Sequence, residues 1–137
     1  NNNLIESTGS NMKRFIFSVD EAADLVLTCI NNIHLTRGKI LSQKMKSVKI
    51  QDVLEAWKDY VGTEWVPIQQ RVGETIDEII IGSSEVSNTR IIPIDSKEYF
   101  LTSTREVYED CIEEKFYTGN AESLSKDEII DLIKIGM

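Results

Sequence analysis

The sequence holds one histidine, two cysteines and two prolines, and each shortage removes a class of chemistry. His34 is the only imidazole, so a histidine-built metal cluster is excluded and any Ser-His or Cys-His pairing would have a single possible base. Its setting, Asn31-Asn32-Ile33-His34-Leu35, reads as a helix end or loop. Cys29 and Cys111 lie far apart without C-x-x-C spacing, which argues against a disulfide framework and for a reducing, cytoplasmic compartment. Both are expected to be small, inert, buried apolar groups. No run of about 18 apolar residues occurs, so no membrane span is expected. Cations are scarce as well: 15 Lys and Arg stand against 23 Asp and Glu, a net charge of −8. That balance argues against a generic nucleic-acid binder. An anionic ligand would have to be held by a few local cations, with Lys13-Arg14, the lysines of residues 44–49, and Arg71 as candidates. Finally, no strand runs into G-x-G-x-x-G and there is no P-loop, so the chain carries no dinucleotide fold of its own.

What is present has the size and composition of one domain: 137 residues, 41% apolar and 28% charged. Position 1 is Asn, the first methionine is Met12, and no signal-peptide pattern leads the chain, so a fragment or missing upstream residues are expected. Residues 1–11 are polar and turn-like, with Leu4-Ile5 as a strand end or anchor. Residues 15–17 read as a short strand. Ser18 and Glu21 form a capping box that opens a helix. Val19, Ala23, Val26, Ile30 and Ile33 recur at helical steps, widened by Ala22, Leu25, Leu27 and Cys29, and predict a largely buried helix ending near Asn31-Asn32.

Residues 39–43 fit a second strand, and 44–49 a basic connector. A second helix is predicted over 50–61, closed by Gly62. Residues 65–68 read as an edge strand, because Pro67 cannot donate to a ladder. Ile79-Ile80-Ile81 fits strand or short helix. Residues 89–94 and 98–102 are β-like about a turn at 95–97. Residues 105–116 read as a lightly packed tail. Ser125 and Glu128 make a second capping box, with Leu124 and Ile129 as its hydrophobic staple, for a terminal helix to about Lys134. The expected architecture is therefore α/β: a single small mixed unit over 1–137 with three or four short strands and two main helices, in which 103–137 is an extended tail with a terminal helix.

One stretch concentrates possible chemistry. In Arg71-Val72-Gly73-Glu74 a fixed cation with a five-donor fork, a permissive glycine and a carboxylate lie within four residues. That is the composition of an anion or nucleotide clamp, although Arg and Glu flanking a glycine turn are more often a solvated surface pair.

Read together, separated segments resemble one family. Asn11-Met12-Lys13-Arg14-Phe15 followed by Val19-Asp20-Glu21-Ala22-Ala23-Asp24-Leu25-Val26 resembles the "M-T-R-F … D-E-A-v-d-L-v" of the nucleotide-sugar 4,6-dehydratases of polysaccharide biosynthesis, extended short-chain dehydrogenase/reductases acting on UDP-N-acetylglucosamine. Residues 71–78 resemble their "R-P-G-E-K-l-h-E", and Lys44-Met45 with Ile50-Gln51-Asp52 their "p-K-M … i-x-D". Tyr117-Thr118-Gly119-Asn120 with residues 124–128 resembles the closing "Y-x-S-x-N … L-s-x-e-e".

The resemblance implies the C-terminal, UDP-sugar-binding lobe of such an enzyme, without its Rossmann domain. Family members oxidise the sugar at C4, eliminate water across C5 and C6 and return hydride to C6, some also inverting C5. The missing domain would bind NAD(P) and supply the Tyr-x-x-x-Lys pair, so no cofactor, metal or catalytic residue is implied for this chain. The residues that carry over are binding ones: Arg14 and Arg71 toward the UDP diphosphate, Glu74 toward the same nucleotide. The Rossmann domain is then the implied partner, and a homo-oligomer is compatible. The alternative is a truncated, non-catalytic relative serving as a protein-interaction or structural module. Departures are Lys13 for Thr, Val72 for Pro, Thr75 for Lys, Asp77 for His, and Gly9-Ser10 for Asp-Pro. Val72 loosens a turn that proline would preset, and Asp77 adds negative charge near the implied phosphate position.

Overall fold

In the computed structural model, which describes residues 4–136, two short strands open the chain, β1 (Leu4–Ser7) and β2 (Lys13–Phe15). The first capping box then forms: Ser18 Oγ accepts from the Glu21 N–H at 3.1 Å and Glu21 Oε2 accepts from the Ser18 N–H at 2.7 Å. It starts α1 (Val19–Asn31), followed by the short α2 (Ile33–Thr36), which carries His34. Then come β3 (Lys39–Gln43), β4 (Ser47–Lys49) and α3 (Ile50–Val61). Gly62 ends α3 with φ 80°, a left-handed turn that only glycine enters freely, and its N–H donates to Lys58 O. The rest is β5 (Glu64–Pro67), β6 (Ile79–Ile81), a 3-10 segment (Ser83–Asn88), β7 (Thr89–Ile94), β8 (Lys97–Ser103), β9 (Phe116–Tyr117) and α4 (Lys126–Gly136).

Among the described residues the strands make four small sheets: β1 parallel to β5, β2 antiparallel to β4, the antiparallel order β3-β8-β7, and β6 antiparallel to β9. Asp95 and Ser96, with φ 47° and 67°, join β7 to β8 in a two-residue turn of the hand that matches strand twist. Opposite each other across that pair, Thr89 and Thr102 share a buried hydroxyl hydrogen bond of 2.9 Å. Two cores result. Val48 of β4 packs with Ala56 of α3 and Ile129 and Ile133 of α4. Ile81, Phe100 and Phe116 form the other, with Phe15 packed against it and ring centroids 5.0 Å apart for Phe100 and Phe116.

Several expectations need correction. Among the described residues nine strands replace the three or four foreseen; α1 and α3, of 13 and 12 residues, and the terminal helix α4, of 11, stand where they were expected. The strand expected at residues 15–17 begins two residues earlier, because the ladder to β4 engages Lys13 and Arg14. Part of the basic connector is itself a strand, its Ser47 and Val48 buried. The tail is not lightly packed throughout: Phe116 is a core residue and Cys111 bridges to Arg90 of β7. Cys29 and Cys111 are half-buried and unpaired.

The largest difference concerns α1, which contains no buried residue. Ala22, Leu25 and Cys29 are half-buried on the side of β3, whereas Val19, Ala23, Val26, Leu27 and Ile30 are exposed. Apolar residues run around more of the helix than one neighbouring sheet can cover. The predicted apolar spacing is real, but among the described residues only its Ala22, Leu25 and Cys29 edge is partly covered, and the face of Val19, Ala23, Val26 and Ile30 is left open.

Candidate functional site

Three separate segments meet at the N-terminal side of β6. β2 brings Arg14 against Thr75, Ile76 and Glu78, the turn just ahead of these residues carries Arg71, Gly73 and Glu74, and β9 leads into Thr118, which bonds Asp77 and Glu78. The turn is built around Glu74. Its N–H donates to Arg71 O at 3.3 Å, and its Oε2 accepts from the Arg71 N–H at 2.9 Å. Gly73 lies between with φ 90°, a conformation that a side chain would strain. The other carboxylate oxygen, Oε1, accepts from Thr8 Oγ1 at 3.0 Å, tying the turn to the residue after β1. Gln70 Nε2 adds a bond to Glu74 O. Thus Glu74 closes the turn through the backbone N–H of Arg71, not through its guanidinium. The Arg71 side chain is exposed and makes no ion pair or hydrogen bond among the described residues.

Arg14 lies half-buried behind the far end of that turn. Nη1 donates to Lys13 O at 2.7 Å and Ile76 O at 3.3 Å, and Nη2 to Thr75 O at 3.1 Å and Met12 Sδ at 2.9 Å. Nε faces Glu78 Oε1 at 3.6 Å. The second Glu78 oxygen accepts from the Phe15 N–H at 2.9 Å. Sequence reasoning singled out two residues of one turn and the arginine bonded to the carbonyls that follow it. It missed the residues that fix them: Thr8, Glu78 and Thr118. Glu78 and Thr118 fall within family-like motifs, whereas Thr8 carries no signal at all.

Thr118, fully buried, joins the tail to this assembly. Its N–H donates to Glu78 O at 2.9 Å, its Oγ1 accepts from the Glu78 N–H at 3.0 Å and donates to Asp77 Oδ1 at 2.8 Å. Asn120 closes the next turn by accepting from the Tyr117 N–H and donating to Lys115 O. Asp77 is thereby occupied with holding the tail.

Beyond the turn an open groove of about 590 Å³ is lined by Thr75, Asp77, Glu78, Ile79 and Ile80 of the following residues together with Phe15, Phe17 and Met45; Arg71 and Glu74 do not line it. It adjoins a nearly wholly apolar groove that shares Phe17, Met45 and Ile80 and reaches Leu25 and Val26 of α1. The connector's Lys46 is drawn elsewhere. Its Nζ pairs with Glu128 Oε1 at 2.7 Å and Glu122 Oε1 at 3.1 Å. The Glu128 carboxyl is held down from its ordinary 4.5 to about 2 by Lys46 and then by the N–H and hydroxyl of Ser125. Among the described residues no three His, Cys, Asp or Glu side chains are placed to hold a metal ion. The turns leading from β2 into α1 and from β4 into α3 contain no glycine, so neither offers a dinucleotide-type phosphate cradle. No described helix is long and apolar enough to cross a membrane.

A family model described as "Polysaccharide biosynthesis protein" matches residues 1–103. No curated protein sequence matches the chain. Among solved structures, that of Pen from Bacillus thuringiensis superposes with a TM-score of 0.80 over 99% of this chain at 19% identity, a likeness of fold. The chain spans 41% of the length of that protein.

Proposed function

The chain belongs to the polysaccharide biosynthesis protein family, and from that premise we propose that it is the nucleotide-sugar-binding lobe of a UDP-sugar 4,6-dehydratase of the extended short-chain dehydrogenase/reductase type, acting in the cytoplasm. The observation that carries this reading is the turn at Arg71: an exposed guanidinium without an internal partner among the described residues, on a loop that Glu74 anchors to Thr8 and that runs on into the wall of an open groove at Thr75. In the proposed roles Arg71 meets the diphosphate oxygens, where its planar fork gives paired charge-assisted bonds. Glu74, already oriented by Thr8 and the Arg71 N–H, accepts from a nucleoside hydroxyl with its remaining lone pairs. Arg14 adds positive charge behind them, which an acidic chain needs to draw in a dianion. NAD(P) would bind a Rossmann domain and supply the hydride chemistry, and the reacting groups would come from that partner.

The test is titration calorimetry with UDP and with uridine. The chain should bind UDP more tightly, and Arg71→Ala should weaken UDP binding roughly 10- to 100-fold while leaving uridine unchanged. Equal affinity for the two ligands, or an Arg71→Ala variant that binds UDP as before, would sink the assignment.

One observation favours a second reading, a non-catalytic relative that serves as a protein-interaction or structural module: the bare apolar face of α1, with Val26 58% and Ile30 59% exposed. A face of this kind suits packing against a Rossmann domain as well as against an unrelated protein. The two readings part on the UDP titration.

A further inference from the structure

Each of the three guanidinium nitrogens of Arg14 is engaged within the chain: Nε by Glu78, Nη1 by Lys13 O and Ile76 O, Nη2 by Thr75 O and Met12 Sδ. A phosphate approaching this arginine would have to displace acceptors that are already in place. We infer that Arg14 serves the site as a positioning residue, clamping the end of the loop that presents Arg71 and Glu74, and that Glu78 sets the orientation of the clamp. The inference rests on the nucleotide-binding reading for its purpose, but its geometry stands without a ligand.

Thr75 and Ile76 offer consecutive carbonyls, and the planar fork meets both with donors set in a fixed geometry, which the point-like ammonium of a lysine does not supply. Ile76 O also accepts from the Lys13 N–H at 2.8 Å, so side chain and backbone of β2 grip the same point. Glu78 divides its carboxylate between Arg14 Nε and the Phe15 N–H. The strand and its arginine are thereby set by one group. A few residues earlier in the loop, Glu74 is anchored on Thr8. Just ahead of these two anchorages Arg71, Val72 and Gly73 are all exposed.

The test uses Arg14→Lys, which keeps the charge and loses the fork, and Glu78→Gln, which keeps an acceptor for Phe15 but turns a donor toward Arg14. Amide hydrogen exchange at Arg71 and Glu74 reports on the loop, and that at Gly62 and Ile129 on the helices. Both variants should speed exchange at the loop amides about tenfold and leave the helix amides unchanged. On addition of UDP, the Arg71 Nε–H resonance should shift while that of Arg14 stays, and Arg14→Lys should lose UDP affinity as fully as Arg14→Ala. Unchanged loop exchange in both variants, or an Arg14→Lys chain that keeps its UDP affinity, would overturn the inference. If UDP moves neither arginine resonance, the nucleotide reading fails, and the exchange data alone decide whether Arg14 holds the loop.

Discussion

Thr118 Oγ1 donates to Asp77 Oδ1 at 2.8 Å while accepting from the Glu78 N–H at 3.0 Å, so one buried hydroxyl ties the tail to the loop that leads into β6. Thr118→Val keeps the shape and removes both bonds. It leaves a backbone N–H and a carboxylate oxygen short of a partner, and should cost about 1–3 kcal/mol. Urea unfolding gives the value. Asp77→Asn keeps an acceptor for the hydroxyl and should cost clearly less. Equal effects of the two would mean that Asp77 and not the Glu78 N–H dominates the junction.

The turn at Arg71 predicts opposite outcomes for neighbouring substitutions. Gly73 has φ 90°, and a Cβ added there would meet no heavy atom within 4 Å, so Gly73→Ala brings no clash and only backbone strain. It should destabilise by about 1–2 kcal/mol. Val72 does not have positive φ, is exposed, and donates no backbone hydrogen bond among the described residues. Val72→Pro should therefore stabilise by about 0.4–1 kcal/mol, by restricting the unfolded chain. Thermal unfolding of the two variants checks both signs.

These cases show what a linear reading reaches. Capping boxes at Ser18 and Ser125 are local, three residues from end to end, and both helices start where they do because the partners are already neighbours. Gly62 and the turn at Asp95-Ser96 are local in the same way. The parallel pairing of Leu4 with Glu64 joins segments far apart in the chain through backbone groups that every residue carries, and no side-chain pattern announces it. Arg14 was legible as a charge near the site, but its acceptors are mostly carbonyl oxygens, which are common to all residues, so the sequence could not separate a ligand from a brace. Likewise the apolar spacing of α1 specifies a helix without specifying which stripe meets the neighbouring sheet.

Glu128 gives a pH prediction with a definite sign. Its carboxylate closes the capping box on Ser125 with one oxygen and holds Lys46 with the other. Its pKa falls from 4.5 to about 2 on folding, so the unfolded chain takes up a proton first. The stability it contributes is complete above about 4.5 and is lost as pH falls from there through about 2. Glu128→Gln should flatten the acid limb of a plot of melting temperature against pH between those values. An unchanged acid limb would assign acid unfolding to other carboxylates.

The exposed stripe of α1 yields the sharpest contrast between this chain and ordinary core helices. Val26 and Ile30 are 58% and 59% exposed, so replacing either by Gln removes little buried area. Each substitution should change stability by no more than about 0.5 kcal/mol. A buried residue at the same helical spacing would instead cost about 2–5 kcal/mol on truncation. Val26→Gln with Ile30→Gln should also reduce binding of an apolar dye and any concentration-dependent association, because both depend on the contiguous apolar patch and not on the fold. The comparison residue is Ile133 of α4, 8% exposed and packed in the core with Ala56, where Ile133→Ala should give the full core penalty. If the α1 double variant unfolds as readily as Ile133→Ala, the stripe is covered in solution and a second copy of the chain becomes the first candidate for what covers it, which sedimentation of the unmodified chain would show directly.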